Sequence, residues 1–329
     1  MPFGDFYANR IYPGVSAALS WLGSPFGFSL TEWVVIAAVV AVPWIIVRSI
    51  VRKKPWWRCL LGEAGLLLAV ILWFYLGWGF NYLRSDVYTR LGTIPTPYEE
   101  AEFQEFMDIF ARELNENWCD ARDVDREAVE RHVKAWYAEL PPEAGLCKPR
   151  AWHHPKRLAF NRLYSGVGVL GFIGPFFDEM HVNADALPVE YPSVFAHEYA
   201  HVLGVSSEAE ANFWAFEACR AAESQAMRYS AWFSLLNSTG GNIRSLLGEE
   251  AWQAWWAGLI PEVKADVEAS QLHWMQMRWP WLSRLQHNMY NAFLRGNGIA
   301  EGTRNYGQVL RLVLSFSDLH GHEDGHGEE

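Results

Sequence analysis

The stretch His197-Glu198-Tyr199-Ala200-His201 decides how the rest of this chain of 329 residues is interpreted. It is an H-E-x-x-H motif, which on a helix places two imidazoles one turn apart on the same face, close enough to bind one zinc ion. The glutamate between them faces the same pocket and can act as general base toward a metal-bound water. Five residues can also occur by chance, so the interpretation depends on the surrounding sequence.

The residues around the motif predict a helix, a tight turn and a second helix. Pro192-Ser193 is a helix start signal, and the apolar residues up to Leu203 predict a mostly buried helix. Gly204 stands where a helix commonly ends in a left-handed residue. Ser207 and Glu210 form the S-x-x-E pattern of a capping box. The two histidines are therefore expected just before the turn.

A zinc ion held by two histidines needs a third protein ligand and leaves a fourth position open for water. Glu208 and Glu210 are the nearest candidates. Glu210 is expected to reach back as the capping-box acid, whereas Glu208 has no such role and lies one turn before Asn212, which can hold its carboxylate. The sequence favours Glu208 and leaves Glu210, or a residue distant in sequence, as alternatives. Two core histidines without a metal are the competing interpretation.

Two apolar runs near the N-terminus predict a membrane anchor. Residues 33–47 and 64–80 are uncharged and lie near the lower length limit of a spanning helix. Five cations lie between them, which is the positive-inside signature of a cytoplasmic loop: Arg48, Arg52, Lys53, Lys54 and Arg58. Both termini are therefore expected outside. A pair of buried helices in a soluble protein is the alternative.

Four parts are expected along the chain. They are an interfacial segment at 1–28, a two-helix anchor at 29–80 with its basic cytoplasmic loop at 48–58, an extracytoplasmic domain at 81–317, and a disordered acidic tail with histidines at 318–329. The domain is expected to be mainly α-helical, with a small β hairpin or sheet in the glycine-rich segment 166–183.

Charge and cysteine content restrict the classes of partner. Residues 1–80 hold six of the 27 Lys and Arg residues and three of the 38 Asp and Glu residues, so the remainder has a net charge of −14. Such an acidic domain has no electrostatic surface for nucleic acid. Cys119 and Cys147 both fall in the outer domain, where they form a disulfide in an oxidising compartment or stay as buried thiols.

The string HEYAHVLGVSSEAEAN, residues 197–212, resembles the gluzincin type of membrane metallopeptidase, in which the first motif is followed by E-x-x-x-D or E-x-E-A-D. Asn212 stands where that pattern has Asp. Over most of residues 7–317, the chain also resembles a bacterial family of uncharacterised two-span membrane proteins with zinc-peptidase-like features. The segments that carry this resemblance are 11–13, the two apolar runs, 78–82, 174–176, 179–183 and a pattern from 290 to 307.

This resemblance implies two transmembrane helices followed by a gluzincin-like zinc metallopeptidase domain in the bacterial cell membrane. It implies Zn²⁺ as cofactor and an edge strand, in the segment 166–183, that pairs with the extended substrate backbone. A glycine-rich structural hairpin without substrate contact is the alternative for that segment.

These observations lead to one assignment of roles. His197, His201 and Glu208 bind zinc, and Glu198 takes a proton from the attacking water. Tyr290 and His287, in the helix that shares the family pattern, are the candidates for stabilising the oxyanion. His181 is a further candidate, as a group that contacts the metal ligands or the substrate. His153 is expected at the surface.

The expected function is that of a membrane-anchored zinc metallopeptidase, whose partners are the lipid bilayer and a peptide or protein substrate. One rival is a non-catalytic zinc-binding sensor or scaffold, which predicts a site closed by a fourth protein ligand. Another is a zinc hydrolase of a non-peptide amide from the cell wall or a lipid, which predicts a deep apolar pocket.

Overall fold

The computed structural model describes residues 2–95, 100–297 and 306–316. The described chain is mostly helical and contains one antiparallel hairpin. The helices are α1 (Phe3–Phe6), α2 (Tyr12–Gly23), α3 (Leu30–Val51), α4 (Trp56–Gly77), α5 (Val87–Leu91), α6 (Glu100–Asn117), α7 (Arg126–Glu139), α8 (Asn161–Val167), α9 (Tyr191–Val202), α10 (Glu208–Arg220), α11 (Gln225–Leu246), α12 (Glu249–Ala257), α13 (Pro261–Met277), α14 (Pro280–Gly296) and α15 (Tyr306–Phe316). The strands are β1 (Gly171–Gly174) and β2 (Glu179–Val182), and short π- or 3-10-helical turns occupy Tyr7–Ile11, Gly79–Leu83, Ala121–Asp123 and Pro142–Ala144. The predicted class, mainly α with a small β hairpin, is confirmed.

Helices α3 and α4 are long and apolar enough to cross a membrane. Each has 22 residues, with mean hydropathies of 2.5 and 2.1 in their most apolar windows. Twenty-two helical residues span about 33 Å, close to the thickness of a bilayer's hydrocarbon core. Only 6% and 0% of those windows are buried inside the protein, so neither is a buried core helix.

The core of the domain forms around α9 and α10, which pack against each other and against α11. Helix α7 and the hairpin cover α9, and α15 packs on α10 and α11. Large side chains fill the centre of this packing, and the fully buried ones include Phe195, Tyr199, Leu203, Phe216 and Tyr229. Burial of each such side chain contributes about 1.5–3 kcal/mol. The motif helix is therefore held rigidly in the middle of the domain.

Strand β1 pairs with β2 in antiparallel register, with Gly171 opposite Val182. The N–H of Asn183 donates to the carbonyl of Leu170 at 2.8 Å. Because the hydrogen-bonded pairs alternate along an antiparallel ladder, the backbone groups of Gly171 and Ile173 point away from β2. The outer edge of β1 therefore presents these groups to the space beside α9.

The N-terminal segment packs on the domain. The Tyr12 hydroxyl lies 2.8 Å from the Val202 carbonyl at the end of α9 and 3.0 Å from Asp178 Oδ1. The Ser16 hydroxyl donates to the same carboxylate, and both Tyr12 and Ser16 are fully buried. The segment expected at the interface is thus partly buried against the motif helix.

Two carboxylates connect the start of α3 to the domain, one on the hairpin and one on α3 itself. Glu179 on β2 accepts hydrogen bonds from the backbone N–H groups of Leu30 at 3.1 Å and Thr31 at 2.9 Å. A carboxylate at a helix N-terminus accepts hydrogen bonds from backbone N–H groups that have no partner within the helix, and its charge interacts favourably with the helix dipole. Glu32, in the first turn of α3, accepts a hydrogen bond from the N–H of Phe160, the residue before α8, at 3.1 Å. The apolar helix α3 and the hairpin therefore form one connected unit.

One expected surface residue is buried. His153 is only 5% exposed, with its ring nitrogens 3.3 Å from the Tyr199 hydroxyl and 3.3 Å from Ser20 Oγ. Burial lowers the pKa of His153 to about 3, with smaller contributions from nearby cations. The prediction of a surface position is wrong, because the N-terminal segment covers this face of the domain.

Other expectations have mixed outcomes. Cys119 and Cys147 are free thiols, so of the two alternatives the structure has the unpaired one. The glycine-rich segment begins as the end of α8, and only residues 171–174 and 179–182 form strands. The acidic tail at 318–329 lies outside the described residues.

Candidate metal centre

Helix α9 presents both histidines of the motif on one face. Pro192 lies in its first turn, where the missing proline N–H costs no hydrogen bond. The chain leaves the helix at Gly204, whose φ of +95° favours glycine. A Cβ at this glycine would also lie 2.9 Å from the Tyr12 ring. The Nε2 atoms of His197 and His201 are 3.1 Å apart.

The turn after α9 brings Glu208 to the two imidazoles. Ser207 caps α10 as predicted, since its hydroxyl accepts from the N–H of Glu210 at 3.3 Å. Because α10 packs directly on α9, its first residue reaches the motif face. Glu208 Oε2 lies 3.3 Å from His197 Nε2 and 3.8 Å from His201 Nε2.

The three groups fit a tetrahedral metal ion. Zinc bonds of about 2.0–2.2 Å to nitrogen and oxygen place neighbouring ligand atoms about 3.3 Å apart. The separations of 3.1, 3.3 and 3.8 Å scatter around this value. His201 Nδ1 lies 2.7 Å from the Val205 carbonyl, which accepts its proton. In the neutral ring, the lone pair of His201 is therefore on Nε2, the atom that faces the other two groups.

Glu210 has a structural role. Its carboxylate forms a buried ion pair with Arg90 and accepts a hydrogen bond from the Trp214 indole at 3.0 Å. As predicted, the Glu210 side chain has structural partners of its own. They are Arg90 and Trp214 rather than the backbone of Ser207. Glu208 is therefore the glutamate that the structure brings to the histidine pair.

Tyr290 on α14 orients Glu208. Its hydroxyl donates to Glu208 Oε1 at 2.5 Å, and burial raises the pKa of Tyr290 far above 10, so the hydroxyl keeps its proton. Asn212 lines the same cavity, but the hydrogen bond to the carboxylate comes from Tyr290. His287 is exposed on another face of α14, with its Nε2 2.9 Å from the side-chain nitrogen of Asn291. The structure therefore brings Tyr290 to the cluster and does not bring His287.

Glu198 is 4% exposed, and its Oε2 has no hydrogen-bond partner among the described residues. Burial is the main cause that raises the pKa of Glu198 to about 7, although His197 and His201 oppose the shift. Gly171 of β1 packs on this side chain, since a Cβ there would lie 2.6 Å from Glu198 Cγ. A carboxyl group with a pKa near neutrality can accept and return a proton at physiological pH.

A cavity of about 910 Å³ lies in front of these groups. Glu198, Glu208 and Tyr290 line it, and Gly171 and Ile173 line it from the outer edge of β1. Within the described part of the chain, nothing forms a backbone hydrogen bond with that edge. Much of the remaining wall is apolar and includes Phe74, Val194, Phe233, Leu236, Val267 and Leu282.

His181 does not line this cavity. It is fully buried on β2, where its Nε2 lies 2.8 Å from Ser29 Oγ and its Nδ1 lies 3.2 Å from the Phe172 carbonyl. Burial lowers the pKa of His181 to about 4, so the ring stays neutral. Its role is to connect the hairpin to the start of α3.

Trp78 is a neighbour of the site to which sequence reasoning gave no role. Its indole donates to the His201 carbonyl at 3.0 Å, and its ring packs edge-on against the His201 ring. In the sequence, Trp78 is marked only as part of segment 78–82, one of the segments that carry the family resemblance. That resemblance does not indicate which residues Trp78 contacts.

The chain was compared with known proteins. A family model described as "Protein of unknown function (DUF3810)" matches residues 7–314. No curated protein matches the chain, and no solved structure does. Because the match covers most of the chain, including both apolar helices and the histidine pair, the protein belongs to the DUF3810 family of proteins of unknown function.

Proposed function

We propose that this protein is a membrane-anchored zinc metallopeptidase. The observation that carries the proposal is the convergence of His197 Nε2, His201 Nε2 and a Glu208 carboxylate oxygen within 4.8 Å of one another. Beside them lies Glu198, a buried carboxyl group whose Oε2 has no hydrogen-bond partner in the part of the chain that the structure describes. Two histidines and a glutamate are the protein ligands of a catalytic zinc site, in which the fourth position stays open, and the cavity leaves that position accessible. A structural zinc site has four protein ligands.

A zinc ion held there would act as a Lewis acid on the substrate carbonyl and would make water a nucleophile near neutral pH. Glu198 would accept the proton of the attacking water at its free Oε2 and deliver it to the leaving amine. Tyr290 would hold Glu208 in the orientation that it has in the structure. Tyr290 also lines the cavity, and it would stabilise the oxyanion if its single hydroxyl proton turned from Glu208 to the substrate oxygen.

The free edge of β1 favours an extended peptide as substrate. The backbone groups of Gly171 and Ile173 face the cavity, and Gly171 contacts Glu198. An extended chain that pairs with this edge would gain backbone hydrogen bonds and place a carbonyl near the metal ligands. The apolar walls of the cavity favour a second candidate, the hydrolysis of an amide on a lipid-linked molecule.

Membrane insertion of α3 and α4 accounts for the exposed apolar surface of these helices. Only 6% and 0% of their most apolar windows are buried inside the protein, and an exposed apolar surface of this size is not stable in water. The five cations of residues 48–58 favour a cytoplasmic loop and therefore an extracytoplasmic metal centre.

The test is hydrolysis of a peptide library by the full-length protein, in wild type, Glu198→Gln and Glu127→Gln, with the zinc content measured for each. Glu127 is exposed on α7, is not among the residues that line the cavity, and serves as matched control. We expect all three proteins to contain zinc and only Glu198→Gln to lose cleavage. Cleavage by Glu198→Gln at the wild-type rate would contradict the proposal. Zinc without peptide cleavage, together with hydrolysis of N-acyl amides, would favour the lipid-linked candidate.

A further inference from the structure

Helix α14 has two faces with different environments. Leu282, Gln286 and Tyr290 recur every four residues and line the cavity. One position earlier in each turn, Trp281, Leu285 and Met289 are 65%, 50% and 65% exposed. The helix that carries Tyr290 over the metal centre therefore also presents an apolar stripe to the outside of the protein.

The surroundings of this stripe differ in charge from the rest of the domain. Residues 156–177 and 269–300 contain no Asp or Glu, although residues 81–329 have a net charge of −14. These segments contribute α8 and α14, which pack on each other. Their exposed cations include Arg157, Arg162 and Arg284. Arginines beside exposed Trp, Leu and Met side chains are typical of a helix that lies in a membrane interface.

Helix α8 begins beside the first turn of α3, and α14 ends beside the last turn of α4. At the start of α8, the N–H of Phe160 donates to Glu32 in the first turn of α3. At the start of α14, the N–H of Trp279 donates to the carbonyl of Gly166 on α8 at 2.6 Å. Just after α14, Asn297 Oδ1 accepts from the hydroxyl of Tyr75 in the last turn of α4 at 2.9 Å. Helix α14, about 25 Å long, therefore runs from the end of α8 to the point where α4 joins the domain, and α8 itself begins beside the first turn of α3.

We propose that the surface formed by α8 and α14 lies in the headgroup layer of an anionic phospholipid membrane, so that the helix above the metal centre is an interfacial helix. The proposal rests on the membrane insertion of α3 and α4 under the proposed function, but not on zinc or hydrolysis. Phe160, just before α8, and Leu163 on α8 are 49% and 44% exposed and extend the apolar stripe toward α3. A consequence is that the cavity opens at the membrane surface, within reach of membrane-attached substrates.

The test measures the depth of a nitroxide label in the bilayer, on full-length protein reconstituted in phosphatidylcholine vesicles with and without phosphatidylglycerol. The label is placed at Leu285→Cys in a background in which the half-buried Cys59 and Cys119 are replaced by serine. Val40→Cys, on α3 and 60% exposed, is the membrane control, and Glu127→Cys on α7 is the water control. Access to oxygen and to a water-soluble nickel complex is compared by power saturation.

We expect the Leu285→Cys label to favour oxygen over nickel, at a depth of about 5–10 Å below the headgroup boundary. A label as accessible to nickel as that at Glu127→Cys, with Val40→Cys embedded, would overturn the proposal and leave the anchor intact. A label shielded from both reagents would overturn it in favour of contact with another protein. If Val40→Cys is itself in water, the membrane anchor fails first.

The charge part of the proposal has its own test. We expect the Leu285→Cys label to lie deeper in vesicles with phosphatidylglycerol, and Arg284→Glu to remove that difference, because arginines near the surface attract anionic headgroups. The same depth in both lipids would overturn the preference for anionic membranes.

Discussion

Substitution of Gly171 by alanine tests whether β1 positions Glu198. A Cβ at this residue would lie 2.6 Å from Glu198 Cγ, 2.7 Å from Glu198 Oε1 and 2.7 Å from the backbone oxygen of His181. Carbon atoms in contact are normally about 3.5–4.0 Å apart, so something must move by about 1 Å. The Glu198 side chain can rotate away from the added atom, but the backbone oxygen of β2 cannot. Both the carboxylate and the strand edge are therefore expected to shift.

The size of the effect follows from this displacement. A misplacement of about 1 Å in a catalytic group can reduce the rate by about 10²-fold. Overpacking of a close-packed site costs about 1–3 kcal/mol of the free energy of unfolding, which a folded protein of this size can tolerate. The metal ligands lie on α9 and α10, outside the contact. We therefore expect Gly171→Ala to keep its zinc and lose about 10²-fold in kcat/KM.

The assay combines zinc content, thermal unfolding and kcat/KM on a cleaved library peptide. Gly14→Ala is the control, because a Cβ at Gly14 meets no atom within 4 Å and alanine favours its helix. We expect Gly14→Ala to match wild type in all three measurements. Wild-type kcat/KM in Gly171→Ala, at unchanged zinc content, would refute the reasoning that β1 holds Glu198 in place.

Three further predictions follow from other contacts. Tyr290→Phe removes the hydrogen bond to Glu208 and should weaken zinc affinity by about 10–100-fold, as measured by competition with a chelator; unchanged affinity would contradict the orienting role. Burial is the main cause that raises the pKa of Asp178 from 3.8 to about 7, despite hydrogen bonds from Ser16 and Tyr12 that lower it. The stabilising contribution of protonated Asp178 is therefore complete below about pH 3.8 and is lost as the pH rises through about 7. The Tm of Asp178→Asn relative to that of wild type should rise over this range. A Tm difference that does not change with pH would refute this linkage. In a background without the partly exposed Cys59 and Cys119, an impermeant maleimide should label Lys54→Cys only after spheroplasts are lysed; labelling of intact spheroplasts would contradict the orientation of the anchor.

The parts of the structure that depend on local patterns follow from the sequence. The spacing of His197 and His201, the glycine at 204 and the Ser207 cap predict a helix, a turn and a helix, and the structure has these elements. Local rules act over short stretches of sequence, and Glu208 follows His201 by only 7 residues. The apolar runs are recognised in the same way, because composition alone determines them.

Contacts between distant segments are not visible in this way. Sequence patterns do not show that Gly171 packs on Glu198, because that contact depends on how the hairpin docks on α9. His153 looks like a surface residue until the N-terminal segment covers it. Tyr290 and His287 carry equal weight in the sequence, and only the rotation of α14 brings Tyr290 to the cluster.

The most direct test of the metal centre is the zinc content of the full-length protein, purified without chelators, in wild type, Glu208→Ala and Glu210→Ala. We expect one zinc per chain in the wild type and in any folded Glu210→Ala, since Glu210 binds Arg90 and Trp214 instead of the cluster. Glu208→Ala is expected to lose the metal. No zinc in the wild type, or equal zinc in the wild type and Glu208→Ala, would contradict the proposed centre.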